Sequence, residues 1–333
     1  MLLDELKEDI MVSDGALQKN MPRIAFLFPG YGSQYGGKGK EIYDQSRLVQ
    51  ERFEEATTCV QNSVQKWAFA SSHVELSDPF SGYVTSSMYS IMYATALAER
   101  AITARVLVGV GAGIFPMLYN AQVLTLPDML YLVRKTAELY MAYLEQCNIT
   151  TYTLGTIDTD TVQALCKRVS VDEKHVGISG IQADRMIRIT GDRSAIERML
   201  EIMRGENSDF PSKEIAVEEG LYEPFLAQAI IQGVIPYLEK IDINIPSCEM
   251  MRFDTGTHLI PSEIREYVSG FMGLSLRWDL IKQTLMQEAD VVLVLGNSPE
   301  LKEALERELA MPVELITEQT DIDRVVLTYG AQT

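Results

Sequence analysis

Three glycines at alternate positions, Gly109, Gly111 and Gly113, close the apolar run Val106-Leu107-Val108 and precede a helix-like stretch, Ile114 to Tyr119. A strand, a tight turn and a helix in that order form the elbow on which G-x-S-x-G enzymes raise a serine nucleophile. The chemistry of such a turn is attack by an exposed hydroxyl, with backbone N–H groups nearby. Here Gly111 stands at the centre, between Val110 and Ala112, and carries no side chain to attack with. A dinucleotide loop is the rival reading. Its third glycine falls one position later and an acidic residue ends the next strand, so the match is incomplete. Glycine permits a tight strand-to-helix turn whatever happens there. That explains Gly109 and Gly113 but not Gly111, where the elbow tolerates serine.

A second segment makes the comparison specific. Ile24-Ala25-Phe26-Leu27-Phe28-Pro29-Gly30-Tyr31-Gly32-Ser33-Gln34 resembles the opening strand and F-P-G-Q-G-S-Q loop of the malonyl-CoA:acyl-carrier-protein transacylases. The same loop opens the acyltransferase domains of fatty-acid and polyketide synthases. Only the first Gln differs, replaced by Tyr31. Gly109 to Gly113 lies where that family carries G-H-S-x-G. Ile215 to Leu226 aligns without gaps on the segment that holds the family histidine, with Pro224, Phe225 and Leu226 matching and Tyr222 in the histidine's place. Leu276-Arg277-Trp278 resembles the family V-x-W, and Val291 to Ser298 resembles its last strand and G-P-G loop. The resemblance runs from Met21 onward.

The resemblance implies an α/β fold: a large α/β-hydrolase-like domain with a mainly parallel sheet, and an inserted ferredoxin-like subdomain. It also implies a serine–histidine dyad, and the departures fall on that dyad. The serine is Gly111 and the histidine is Tyr222. An arginine that grips the malonyl carboxylate falls at Thr136, with Arg134 and Lys135 one small shift away. Removing one member of a serine dyad or triad costs about six orders of magnitude in rate. No catalytic residue is expected. The degenerate cleft is assigned to Tyr31, Val110, Gly111, Ala112, Thr136, Tyr222 and Glu223.

No other residue offers a ready replacement. The three histidines, His73, His175 and His258, precede no S-P-L-M-like segment, and Ser33 lies in a loop that resembles a substrate-facing turn. The four cysteines, Cys59, Cys147, Cys166 and Cys248, form no C-x-x-C pair, which excludes the common zinc spacings and a disulfide framework. No metal or cofactor is expected.

Helix and strand patterns position these motifs. Glu41 to Gln65, Met88 to Ala104 and Asp128 to Gln146 read as helices, and the Met and Tyr residues of the second read as core. From Thr151 the alternation quickens. Thr151 to Ile157 reads as strand, Thr159 to Val169 as helix, Val176 to Ser179 and Met186 to Thr190 as strands, Ser194 to Arg204 as helix and Glu214 to Val217 as strand. That β-α-β-β-α-β order is the ferredoxin-like signature. The expected division is an extension at 1–20, a large domain from 21–148 and 222–333, and a subdomain at 149–221. Pro224 to Glu239 and the strand Val291 to Leu295 return the chain to the large domain.

Composition sets outer limits. Hydrophobic residues make up 47% and charged residues 23% of the 333 residues, the balance of a globular chain with a sizeable core. No apolar run reaches the roughly 18 residues of a membrane span. Asp4, Glu5, Glu8 and Asp9 replace the basic start of a signal peptide, so a cytoplasmic location is expected. The net charge of −18 argues against nucleic acid, which draws on lysine and arginine. It also opposes approach of an acidic acyl carrier protein over long range.

Two functions remain open on the sequence. One is a non-catalytic partner in fatty-acid or polyketide assembly, held in a hetero-complex with a synthase component: a ketosynthase, an active acyltransferase or an acyl carrier protein. The other is altered thioester chemistry in which Tyr222, Glu223 or Glu219 moves protons. A phenol titrates near 10, a poor base near neutrality, whereas burial raises a carboxylate toward it. In the first reading Tyr31, Tyr35, Tyr222 and Phe225 gather at the mouth of the cleft as aromatic anchors.

Overall fold

A computed structural model describes residues 21–33, 36–70, 78–155, 157–171, 174–181, 186–206, 210–215 and 224–330. The first strand, β1 (Ile24–Phe28), is apolar and buried at every position. So are β2 (Val106–Gly109) and β9 (Val291–Leu295). Strands that are apolar throughout have no face to offer water, so they suit the middle of a parallel sheet covered by helices on both sides. With β7 (Glu249–Met251) and β10 (Val313–Ile316) they form one sheet in the order β10-β9-β1-β2-β7. All four pairings are parallel, with Phe26 opposite Leu107 and Ile24 opposite Val291.

The second sheet is built from β3 (Ile149–Leu154), β4 (Val176–Ile181), β5 (Ile187–Asp192) and β6 (Ser212–Ile215). Helices Thr159–Val169 and Arg193–Glu206 fill the β-α-β-β-α-β order. The strand order β6-β3-β5-β4 is antiparallel throughout, and this unit closes its own core around Leu154, Val162, Ile189, Ile196 and Met199. One addition was not foreseen. The two-residue strand β8 (Leu276–Arg277) leaves the larger unit to pair in parallel with β4, Gly180 opposite Leu276. The Ser275 hydroxyl secures it by donating to the Ile178 carbonyl at 2.6 Å.

Two helix expectations need correction. The stretch Glu41 to Gln65 is not one helix. Ser46 is extended, and its side chain accepts the Val49 N–H at 3.1 Å, so helix Lys40–Gln45 ends and Arg47–Val60 begins. Leu48, expected among the apolar residues, stays 38% exposed, while Val49, Phe53, Ala56 and Val60 are buried at the spacing of one helical face. The second helix runs Pro79–Glu99 rather than Met88 to Ala104. Asp78 caps it by accepting the Ser81 N–H at 2.9 Å, Pro79 suits the first helical position, and Ala101 at φ +59° stops continuation. Met88, Tyr89, Met92 and Tyr93 are core, each at most 1% exposed. Ser90 Oγ donates to the Leu295 carbonyl at 2.7 Å and Tyr93 Oη to that of Thr317 at 3.1 Å, which fastens this helix to the ends of β9 and β10.

Candidate functional site

The glycine segment forms the strand, tight turn and helix that the sequence predicts. Strand β2 ends at Gly109, Val110 is extended, and Gly111–Gly113 form a single 3-10 turn that leads into helix Ile114–Asn120. The Val110 N–H donates to the Phe28 carbonyl at 3.0 Å, and the Gly113 N–H to that of Val110 at 2.9 Å. Close packing explains the flanking glycines. A Cβ on Gly109 would lie 2.5 Å from the Gly113 oxygen, and a Cβ on Gly30 would lie 2.6 Å from the Val110 oxygen. Gly111 differs in kind, because it is held at φ +54°. A side chain in that left-handed region costs about 1–2 kcal/mol. Elbows bear this strain for the sake of the exposed nucleophile. At Gly111 both the strain and the hydroxyl are missing.

The first family-like loop abuts this turn through Gly30. Ser33 is 4% exposed, and its hydroxyl donates to the Gly30 carbonyl at 3.0 Å. It is a loop fastener. A Cβ on Gly296, which has φ +150°, would lie 2.8 Å from Pro29 Cγ, so the loop after β9 closes on the same point. Tyr31 is half-buried and meets Tyr83 edge-on, with ring centroids 5.3 Å apart and planes at 78°. Tyr83 in turn stacks on Tyr140 at 6.5 Å and 28°. Such pairs add to what area burial alone supplies. Sequence reasoning missed Tyr83, which precedes the expected helix start. It also missed Tyr140, four residues after Thr136 and therefore on the same helical face.

On helix Leu126–Leu144 the tertiary structure separates the three candidate positions. Thr136 is 1% exposed, and its Oγ1 has no hydrogen-bond partner among the described residues. Arg134 is directed elsewhere. Its Nη2 donates to the Val60 carbonyl at 2.8 Å, at the C-terminus of helix Arg47–Val60, where open carbonyls favour a cation. Its guanidinium lies 4.9 Å from the Phe80 ring centroid. Lys135 donates to Glu138 at 2.7 Å and lies 5.1 Å from the Tyr237 ring centroid. The hydrogen bond to Glu138 raises its pKa. Arg277 is likewise committed, with Nε and Nη2 on the two Asp279 oxygens at 2.8 and 2.6 Å. Asp279 is held below its ordinary range by that pairing.

The remaining site residues divide as follows. Val110 is half-buried, and Ala112 is 3% exposed inside the turn. Tyr35, His73, Glu219, Tyr222 and Glu223 lie outside the described residues, as does the side chain of Phe225. The His175 carbonyl accepts the Asp192 N–H in the smaller unit. His258 stands 3.9 Å from both Glu249 and Glu288, and Glu288 also pairs with Arg105 at 3.4 Å. Those three are the one group with metal-ligand chemistry among the described residues, and all belong to an exposed or half-buried ion-pair cluster. No helix among the described residues is long and apolar enough to cross a membrane.

No family model matches the chain. It is similar to a malonyl CoA-acyl carrier protein transacylase of Bacillus subtilis, 29% identical over 184 residues that cover 53% of this chain and 44% of the relative. It is also similar to a non-reducing polyketide synthase of Cladonia grayi, 28% identical over 167 residues, 48% of this chain and 8% of that protein. The matched region thus spans about half or less of these relatives. In fold it is similar to the transacylase of Coxiella burnetii, with a TM-score of 0.85 at 18% identity, covering 93% of this chain and 99% of that one. A malonyl-transacylase solved in complex with its type II polyketide synthase acyl-carrier protein gives a TM-score of 0.84 at 16% identity, covering 92% and 99%. Glycine turn, opening loop and two-sheet architecture agree with these likenesses: the chain has the fold of the malonyl-CoA:acyl-carrier-protein transacylases and is similar in sequence to them and to polyketide synthases.

Proposed function

We propose that this chain is a family member without acyl-serine chemistry. It serves fatty-acid or polyketide assembly by binding a synthase component, whether a ketosynthase, an active acyltransferase or an acyl carrier protein. The observation that carries the reading is Gly111, which sits at φ +54° in an otherwise complete elbow. A covalent transacylase needs an activated nucleophile there and a base within hydrogen-bond reach. Gly111 supplies no nucleophile, and Tyr222 replaces the base in the aligned segment. Thr136, at the aligned position of the carboxylate-gripping arginine, adds a third departure on the same substrate path.

A fold kept nearly whole around an empty elbow supports a role carried by shape and surface. The net charge of −18 favours a partner that meets this chain through local contacts rather than long-range attraction. The test combines two measurements on the purified chain. Intact mass after incubation with malonyl-CoA is expected to show no added acyl group. Affinity purification from the native host is expected to recover a ketosynthase, an acyltransferase or a carrier protein. A stable adduct, or recovery of the chain alone, would overturn the reading.

A further inference from the structure

We infer that Glu249, His258 and Glu288 form a structural site for one divalent cation of the zinc class, at the end of the large sheet remote from the glycine turn. The site shares no residue with the cleft on which the partner role rests.

Three different elements bring these side chains together. Glu249 opens β7, opposite Val106 at the start of β2. His258 lies on the returning arm of a tight hairpin. There the Arg252 N–H donates to the Thr257 carbonyl at 2.9 Å and the Leu259 N–H to the Met250 carbonyl at 2.8 Å. Glu288 is the last residue of helix Trp278–Glu288, just before β9. The two glutamates thus stand at the amino ends of parallel strands, whereas Gly111 follows the carboxyl end of β2.

One donor atom from each of the three residues lies within 4.8 Å of the others. The imidazole has a carboxylate at each edge, Glu249 Oε2 at 3.9 Å from Nδ1 and Glu288 Oε1 at 3.9 Å from Nε2. That spacing is too long for a hydrogen bond. Donors of a tetrahedral zinc, bound at about 2.0–2.2 Å, stand roughly 3.4 Å apart. Rotation of the exposed Glu249 and His258 side chains is enough to close the set around one ring nitrogen, which leaves the other nitrogen to water. Arg105 pairs with the other oxygen of Glu288, Oε2, at 3.4 Å, so Oε1 still faces the histidine. Arg23, also near Glu288, is held by Asp290. One imidazole with two carboxylates is a mixed nitrogen and oxygen set that suits zinc and its neighbours, while magnesium and calcium favour all-oxygen shells. Three protein donors leave a fourth position for water. An ion held there ties β7, the hairpin and the helix end to one another.

The experiment is isothermal titration of the full chain, stripped of metal by chelation, with zinc and separately with magnesium. Zinc is expected to bind, and magnesium at least about tenfold more weakly. His258→Ala and Glu249→Gln alter exposed side chains, so both are expected to fold, and each is expected to weaken zinc binding at least about tenfold. Where one does not fold, the other decides. Zinc is also expected to raise the melting temperature of wild type and not that of His258→Ala, because an ion bound only by the folded chain stabilises it. The cysteine thiols are the rival zinc ligands, and zinc binding unchanged in both variants would assign the ion to them and overturn the site. Absence of zinc binding, or magnesium as tight as zinc, would overturn it equally. None of these outcomes touches the proposed partner role, which fails instead on an acyl adduct or on the absence of any partner.

Discussion

A Cβ placed on Gly113 would lie 2.0 Å from the carbonyl oxygen of Phe28. The helix that follows the elbow is therefore seated directly on the end of β1, and only glycine allows the approach. That contact explains why the turn keeps its shape although Gly111 offers no chemistry. Gly113→Ala is expected to lower stability by about 1–3 kcal/mol, the range for overpacking, because the clash is with backbone that cannot swing away. Denaturant unfolding would measure it, and an unchanged midpoint would contradict the packing.

Restoring the serine alone should not restore activity. Gly111→Ser is expected to remain without measurable malonyl-CoA hydrolysis, because Tyr222 stands where the aligned family segment carries its histidine. The variant should also be less stable by about 1–2 kcal/mol, the cost of a side chain in the left-handed region. Gly111→Ser with Tyr222→His is expected to recover trace hydrolysis at most. Rapid acylation of the single variant in intact-mass measurement would show that another base is present.

Thr136 makes an opposite prediction. Its Oγ1 is buried with no partner among the described residues, so Thr136→Val removes that hydroxyl at nearly constant volume. A gain of about 1 kcal/mol in unfolding free energy is expected. A loss of stability would mean that the hydroxyl is satisfied, for example by ordered water.

Glu214 gives the smaller unit a pH signature. Its carboxylate accepts from Arg193 Nη2 at 2.7 Å, from Thr150 Oγ1 at 2.7 Å and from the Tyr152 hydroxyl at 3.2 Å. The Arg193 bond first, then Thr150, holds its pKa at about 2 against an ordinary 4.5. A folded-state pKa below the unfolded one stabilises above the unfolded value and is lost as pH falls toward the folded value. The melting-temperature difference between wild type and Glu214→Gln is thus expected to be full above about pH 4.5 and to vanish toward pH 2. A difference independent of pH would exclude the ion pair as its source.

The proposed partner can be sought through the opening loop. Tyr31 is half-buried beside Tyr83, and aromatic residues are favoured interface anchors. Tyr31→Ala is expected to weaken recovery of the partner in a pull-down at unchanged stability of the fold. If every partner stays bound, the ring only fills space against Tyr83.

The amino-acid sequence by itself determined the class of fold and the glycine at the centre of the strand–turn–helix segment. Uniformly apolar, β-branched runs such as Val291–Leu295 suit central strands of a covered sheet, and the order of elements between Ile149 and Ile215 specifies the small unit. The glycine at position 111 needs no coordinates to show that it lacks a hydroxyl. Helix limits were less legible, because single capping residues such as Ser46 and Asp78 override the average pattern around them. Tertiary structure alone decided how the three candidate positions on helix Leu126–Leu144 are disposed. Three adjacent residues, Arg134, Lys135 and Thr136, point along different directions of one helix. Only packing against Phe80, Tyr237 and the helix that ends at Val60 selects which of them stays buried. The ring contacts among Tyr31, Tyr83 and Tyr140 join residues far apart in the chain, and no local periodicity encodes them. The pairing of β8 with β4 is equally non-local, since two residues are too few to announce a strand.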